Sequence, residues 1–198
     1  MCKVLNISHS IIVGRFSSNI KSQLRTLDLS QSARTARTLL GQKYGKETID
    51  NLEKLLFLCC SLQHLNLEGL LLTPKMAVSI CKNGKTLQVL NLNNSHVIEF
   101  HLNYNSSMKS CNLHSIIKCC QELKELALIN GDKWLNNEDL EFLVKNISPN
   151  VVKLNLSNHD VDDDKVKILL SRCNKIKVLS LKETIFTNSG GIKYLRQE

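Results

Sequence analysis

The six-residue stretch Leu62-Gln63-His64-Leu65-Asn66-Leu67 recurs with small variations along the 198 residues of this chain. Each copy has an apolar residue, two further residues, a second apolar residue, one residue and a third apolar residue. A weaker copy begins at Cys2. The six clear copies begin at Leu24, Leu62, Leu87, Leu123, Val151 and Ile176. Because alternate side chains of a strand face the same side, each copy predicts a short strand whose second and third apolar residues point inward.

The connectors between the copies predict helices. Thr48 precedes apolar residues at helical spacing, and Thr73 followed by Pro74 is a helix cap with a first-turn proline. Asn137 and the acidic residues 162–164 each stand before another apolar run and suit a helix N-terminus. Strands and helices that alternate in this way are typical of leucine-rich repeats. The sequence therefore predicts an α/β solenoid, a curved horseshoe with parallel strands on its concave face and helices on its convex face.

The whole chain, residues 1–198, is predicted to form a single leucine-rich-repeat domain of six to seven repeats. Its 34 leucines and only 5% aromatic residues suit layers of equal thickness better than one irregular core. Successive copies start 22, 38, 25, 36, 28 and 25 residues apart. The two longest spacings predict insertions in the connectors near residues 31–47 and 95–112.

Composition and motifs disfavour several classes of function. No apolar run approaches 18 residues, so no membrane-spanning helix is expected. The net charge of +8 permits nucleic acid, but the basic stretch 31–47 has only Tyr44 to stack on bases, which disfavours that partner. The chain has no nucleotide-binding glycine motif and no nucleophile-elbow motif, so we expect no catalytic residues and no cofactor.

The eight cysteines allow two interpretations. The pair Cys59–Cys60 near His64, and the group at 111–120 that includes His114, resemble zinc-binding patterns. However, Cys59, Cys120 and Cys173 each stand three residues before the first apolar residue of a copy, which indicates one packing position repeated along the solenoid. We expect packing and no metal. We expect reduced thiols and no secretory signal, and therefore a protein of the cytoplasm or nucleus.

The outward residues of the predicted strands are the candidate binding site. They form two columns, which we call the first and second concave columns. The first contains Thr26, His64, Val89, Glu125, Lys153 and Val178, and the second contains Asp28, Asn66, Asn91, Ala127, Asn155 and Ser180. We expect a protein partner to contact the central members, namely His64, Asn66, Asn91, Glu125, Lys153 and Asn155. Trp134 in a predicted loop either covers the edge of the core or serves as a binding anchor.

The cysteine-containing copies carry a family resemblance. The pattern Cys-x-x-Leu-x-x-Leu-x-Leu occurs over residues 59–67 and 120–128, and a variant starting its strand with isoleucine covers 173–181. This pattern resembles the cysteine-containing repeats of F-box proteins, the substrate-receptor subunits of SCF ubiquitin ligases. The chain differs from that pattern where a second cysteine often follows the strand, for example at Leu70 and His159.

The resemblance implies a non-catalytic domain that recognises protein substrates for an SCF-type ubiquitin ligase. We expect it to cover the repeats only, without an F-box in these 198 residues, so contact with other ligase subunits would need an F-box in the full-length protein. The alternative is a free-standing leucine-rich-repeat scaffold or inhibitor without a link to a ligase.

Overall fold

The computed structural model describes residues 4–6, 23–30, 43–93, 96–97, 107–129 and 135–182. The strands are β1 Val4–Asn6, β2 Thr26–Asp28, β3 His64–Asn66, β4 Leu71–Leu72, β5 Val89–Asn91, β6 His96–Val97, β7 Glu125–Ala127, β8 Lys153–Asn155 and β9 Val178–Ser180. The helices are α1 Lys43–Leu58, α2 Pro74–Lys82, α3 Ser107–Cys119, α4 Asn137–Asn146 and α5 Asp163–Arg172.

Seven strands form one parallel sheet in the order β1-β2-β3-β5-β7-β8-β9. Each strand pairs with the next copy of the repeated stretch, so that Leu65, Leu90, Leu126 and Leu154 lie side by side. The short strands β4 and β6 pair separately, also in parallel. Consecutive helices pack on one another behind the sheet. The chain thus has the predicted α/β leucine-rich-repeat fold, with strands on the concave face and helices on the convex face.

The predicted inward positions form the core. All three apolar residues of the copies that begin at Leu24, Leu62, Leu87, Leu123 and Val151 are buried. In the copy that begins at Ile176, the three residues are only partly buried but still pack on the core. The helices contribute the other side of this core, as with Leu52 and Leu55 from α1. The period-two pattern therefore identified the second and third apolar residues of each copy as inward, and the structure shows that the first is buried as well.

Three helices begin with the side-chain caps that their sequences suit. Thr73 accepts a hydrogen bond from the Met76 backbone at 3.2 Å. Asn136, and not Asn137, caps α4 and exchanges hydrogen bonds with Asp139 in a capping box. Asp162 accepts from the Lys165 backbone at 2.9 Å. Burial opposes ionisation of Asp162, but the hydrogen bonds from Lys165 outweigh it and lower the pKa of this carboxyl.

One sequence-based helix start was wrong. Helix α1 begins at Lys43, so Thr48 lies within the helix and does not cap it. The helices also include the ends of the two predicted insertions, residues 43–47 in α1 and residues 107–112 in α3, and the insertions themselves stay predictions. The first turns of both helices are polar, so hydrophobic periodicity could not detect where they begin. Residues 31–42, 94–95 and 98–106, which make up most of the predicted insertions, lie outside the described residues.

Buried polar side chains join neighbouring repeats. Asn83, which is 1% exposed, accepts a hydrogen bond from the Leu62 backbone at 2.8 Å and donates to the carbonyls of Cys59 and Ser79. Its carboxamide thereby ties the end of α2 to the turn that precedes β3. Further along the chain, Ser148 donates to the Gln121 carbonyl at 2.7 Å in a comparable link between repeats. These bonds satisfy backbone groups where helices end and strands begin.

We expect Asn83→Ala to lower the free energy of unfolding by at least about 2 kcal/mol, because it leaves buried backbone groups of the preceding repeat without partners. Urea unfolding measures this loss. Asn174→Ala is the matched control, since Asn174 is exposed in the loop before β9 and should change stability little. Equal effects of the two substitutions would contradict the role assigned to Asn83.

Substitution of adjacent residues in β7 tests the strand register. Leu126 is 2% exposed, so Leu126→Ala should cost about 2–5 kcal/mol through lost packing and a residual cavity. Glu125 faces the concave surface, and Glu125→Lys should change stability by less than about 0.5 kcal/mol. Thermal or urea unfolding distinguishes the two. An unfolded Glu125→Lys variant beside a stable Leu126→Ala variant would show that the register is wrong.

Candidate functional site

The first concave column is continuous across six neighbouring strands. Its members lie in register on β2, β3, β5, β7, β8 and β9, as the repeated stretch predicts. His64, Lys153 and Val178 are exposed, and Thr26, Val89 and Glu125 are partly exposed. The structure therefore brings His64, Glu125 and Lys153 onto one face, which is the geometry that a shared binding surface needs. Whether a partner contacts them stays a prediction.

Glu125 and Lys153 form an ion pair across β7 and β8. The Glu125 Oε1 and Lys153 Nζ atoms are 2.9 Å apart, and both side chains are about half exposed. Next to them Lys124 Nζ donates to Gln88 Oε1 at 3.1 Å. Such solvent-exposed pairs contribute about 0–1 kcal/mol to stability. These charges are therefore accessible to a ligand without being essential to the fold.

The second concave column has a structural role that the sequence interpretation missed. Asn66, Asn91 and Asn155 each accept a hydrogen bond, at 2.9–3.1 Å, from the backbone N–H two residues further along. Asp28 makes the same contact with Ser30 at 2.9 Å. These are Asx turns, which end the strands. These outward side chains therefore also serve the solenoid itself, because one oxygen of each stabilises its own turn.

Ala127 and Ser180 occupy the same column without a carboxamide or carboxylate. In each case the preceding repeat supplies the missing acceptor from the residue that stands two positions after its member of the second concave column. Asn93 Oδ1 accepts from the Ile129 backbone at 2.9 Å. Ser157 Oγ accepts from the Lys182 backbone at 3.1 Å. The turn after β7 is thus satisfied without a long side chain at Ala127, which leaves only a methyl group on the surface there.

A shallow concavity of about 310 Å³ lies around Ala127 on this face. Four strands contribute to it, with Val89, Glu125, Lys153 and Val178 from the first concave column at its border. Asn91 and Asn155 stand on the strands to either side of Ala127. The candidate residues of the middle and later repeats therefore converge on one depression. His64 and Asn66, on β3, lie outside its lining.

The cysteines occupy the packing position predicted for them. Cys59, Cys120 and Cys173 are all buried in the core and form no disulfide. Burial, together with the nearby thiols of Cys81 and Cys119, raises the pKa of Cys120 to about 12. Burial also raises the pKa of Cys173. Thiols in such surroundings remain protonated at neutral pH and behave as small apolar side chains.

The two suspected zinc groups are not assembled among the described residues. His64 is exposed on the concave face while Cys59 is in the core, and the Nε2 atom of His114 lies 3.0 Å from Asp139 Oδ1. His114 also stacks on Phe142, with ring centroids 3.7 Å apart. The absence of a metal remains a prediction. Trp134, the possible anchor, lies outside the described residues.

An apolar patch on the convex face was not recognised from sequence. It lies between α1 and α2, where Phe57, Leu58 and Val78 are exposed around a groove of about 700 Å³. The ammonium group of Lys82 lies 3.2 Å from the centre of the Phe57 ring. Phe57 and Leu58 directly follow the buried Leu55 and Leu56, so the sequence shows one continuous apolar run. The packing of α2 on α1 determines that the first pair is buried and the second exposed.

Two solved structures are similar to this chain. The leucine-rich-repeat-containing protein LegL7 from Legionella pneumophila has 19% sequence identity over 91% of this chain and 57% of its own, with a TM-score of 0.49. An internalin, InlF, from Listeria monocytogenes has 12% identity over 92% of this chain and 49% of its own, with a TM-score of 0.46. The chain spans about half the length of these structures.

No protein-family model matches the sequence, and no curated protein matches it. The assignment of the leucine-rich-repeat fold therefore rests on the strand register and burial described above. In the described part of the chain, no helix is both long and apolar enough to cross a lipid bilayer.

Substitutions at two positions of β8 separate the columns. Asn155→Ala removes the acceptor of its Asx turn and should lower the free energy of unfolding by about 1 kcal/mol. Lys153→Ala, two residues earlier on the same strand, breaks only the exposed ion pair and should cost less than about 0.5 kcal/mol. Urea unfolding at low and high salt measures both. If Lys153→Ala lowered the free energy of unfolding more than Asn155→Ala, the ion pair, and not the Asx turn, would be the interaction that stabilises this face.

Proposed function

We propose that this chain binds an extended segment of a partner protein on its concave sheet. The observation that carries this proposal is the first concave column, in which side chains of six strands lie in register on one surface. A row of regularly spaced positions suits an extended polypeptide, since both repeat along one direction. Binding on this surface requires no catalytic group. We also place the protein in the cytoplasm or nucleus, where its cysteines would remain reduced.

We further propose that this binding recognises substrates for an SCF-type ubiquitin ligase. The support is the sequence resemblance to F-box proteins, which extends to the S-phase kinase-associated F-box protein over residues 27–32, 60–70, 82–92 and 151–157. Such a receptor accelerates ubiquitin transfer by holding a substrate near a separate enzyme. The alternative is a free-standing scaffold or inhibitor, which uses the same concave face and has no ligase partner.

Affinity purification of the full-length protein with charge-reversal variants tests both parts. Glu125→Lys places two cations side by side on the concave face and should reduce recovery of true partners at least tenfold. Glu141→Lys is the matched control, because Glu141 pairs with Lys145 on the convex helix α4 with similar exposure. Partners retained by the control and lost with Glu125→Lys are bound by the concave face.

The double variant Glu125→Lys, Lys153→Glu separates charge from folding. It restores an ion pair with opposite orientation, so the variant should be as stable as the wild type. Partners that bind through the arrangement of these two charges should still be lost. Recovery of the ligase adaptor with the wild-type protein supports the receptor role, and its absence supports the scaffold. If Glu125→Lys does not change the set of partners, the concave face is not the binding surface.

A further inference from the structure

We propose that the concavity around Ala127 is a specificity pocket that receives one small aliphatic side chain of an acidic peptide segment. This inference rests on the proposed function, since it names the feature by which the concave face would select its partner. It concerns the centre of that face, where β5, β7, β8 and β9 contribute side chains to one depression.

Ala127 is the smallest side chain in the lining of this depression. Asn91, Ala127 and Asn155 lie in register on β5, β7 and β8. Strands are about 4.8 Å apart, so the two asparagines stand on strands about 9.6 Å apart with only a methyl group between them. Because Asn93 satisfies the turn after β7, the protein does not need a carboxamide at position 127. The gap is thus built into the sheet and does not expose an unsatisfied backbone group at Ile129.

The surface of this gap is mainly apolar. Val89 and Val178 stand at its two ends, and Ala127 forms its floor beside the backbone of the central strands. Its volume of about 310 Å³ is at the lower limit for pockets that hold a small molecule, which is about 300 Å³. An open depression of this size suits one aliphatic side chain and the adjoining peptide backbone.

Polar groups beside the gap suit a peptide backbone. The Asn155 side chain uses its oxygen in the Asx turn, and its NH₂ group donates no hydrogen bond to any described residue. A ligand carbonyl can accept from this group. On the other side, the Asn91 NH₂ group donates to Glu68 at 3.2 Å and is already engaged. The asymmetry favours a peptide that enters the pocket with a carbonyl directed at Asn155.

The charges at the border favour an acidic ligand. Glu125 and Lys153 largely neutralise one another. Lys124 and Lys177 are exposed immediately before β7 and β9, and neither forms an ion pair within the described ranges. Two unneutralised cations therefore flank the pocket along the edge where the strands begin, and they would steer a segment rich in Asp and Glu. The two concave columns contain no Phe, Tyr or Trp, so bases would find no stacking surface there.

Selection from a library of random dodecapeptides displayed on phage, with the 198-residue chain as the target, tests the proposal. Enriched peptides should share one Val, Leu or Ile among Asp and Glu residues. Synthetic versions of these peptides are then titrated against the wild-type chain and variants by fluorescence anisotropy. Ala127→Leu fills the gap and should weaken binding at least tenfold. Ala127→Ser preserves the opening and should stay within about threefold, which separates blocking from misfolding.

Two more variants complete the test. Lys124→Glu combined with Lys177→Glu should weaken the same peptides at least tenfold and reduce the salt dependence of binding. Val78→Ser, in the apolar groove of the convex face, should have no effect. Selected peptides rich in Lys or Arg, or binding that is lost with Val78→Ser, would overturn the proposal. The proposal would also be overturned if a single-stranded dodecanucleotide displaced the peptides and its own binding depended on Ala127.

The outcomes separate this pocket from the broader function. If the peptides lose affinity for the Glu125→Lys variant but bind the Ala127→Leu variant normally, the concave face is still the binding surface and the pocket is refuted. Peptides that are insensitive to both substitutions would refute the concave face as the binding surface, and the pocket with it. Loss of binding on Ala127→Leu with retention on Ala127→Ser is the result that the proposal requires.

Discussion

The burial of each repeat's inward leucines against those of the next repeat is the constraint on which the rest of this structure depends. A single copy has a strand of three residues and cannot bury its own apolar side chains. The adjacent copy covers them only if the two strands lie parallel and in register, as Leu65, Leu90, Leu126 and Leu154 do. The outward residues must then also line up, because they alternate with the inward ones. The binding face is thus a consequence of how the core is packed.

Polar groups at the ends of the helices and strands add a second requirement to the stacking of repeats. Each helix end and strand start presents backbone groups that need partners, and Asn83 and Ser148 provide them from an adjacent repeat. Where the strands end, Asn66, Asn91 and Asn155 satisfy a backbone N–H of their own repeat through Asx turns. These bonds add modest stability individually, but their loss would leave buried groups unsatisfied. The bonds of Asn83 and Ser148 also join neighbouring repeats, whereas the Asx turns act within one repeat.

The positions that depart from the pattern are the informative ones for function. Ala127 lacks the side chain that ends other strands, yet its turn is satisfied by Asn93 from the preceding repeat. A depression lies there, and Asn91 and Asn155 stand on the strands to either side of Ala127. The convex face also departs from the pattern, since Phe57 and Val78 are exposed there. Irregularities in a repetitive surface are where one ligand can be distinguished from another.

The amino-acid sequence alone determined the repeat, the inward leucines, both concave columns and the packing position of Cys59, Cys120 and Cys173. All of these follow from a short apolar period that requires the same environment in each copy. The tertiary structure alone decided what the outward side chains do, because their partners come from neighbouring repeats or from nearby backbone that local periodicity does not describe. It showed that α1 begins at Lys43 with a polar turn, that Glu125 pairs with Lys153, and that Asn155 holds a turn. It also showed that Asn93 replaces the acceptor missing at Ala127, a contact between residues 36 positions apart that only the stacking of two repeats creates.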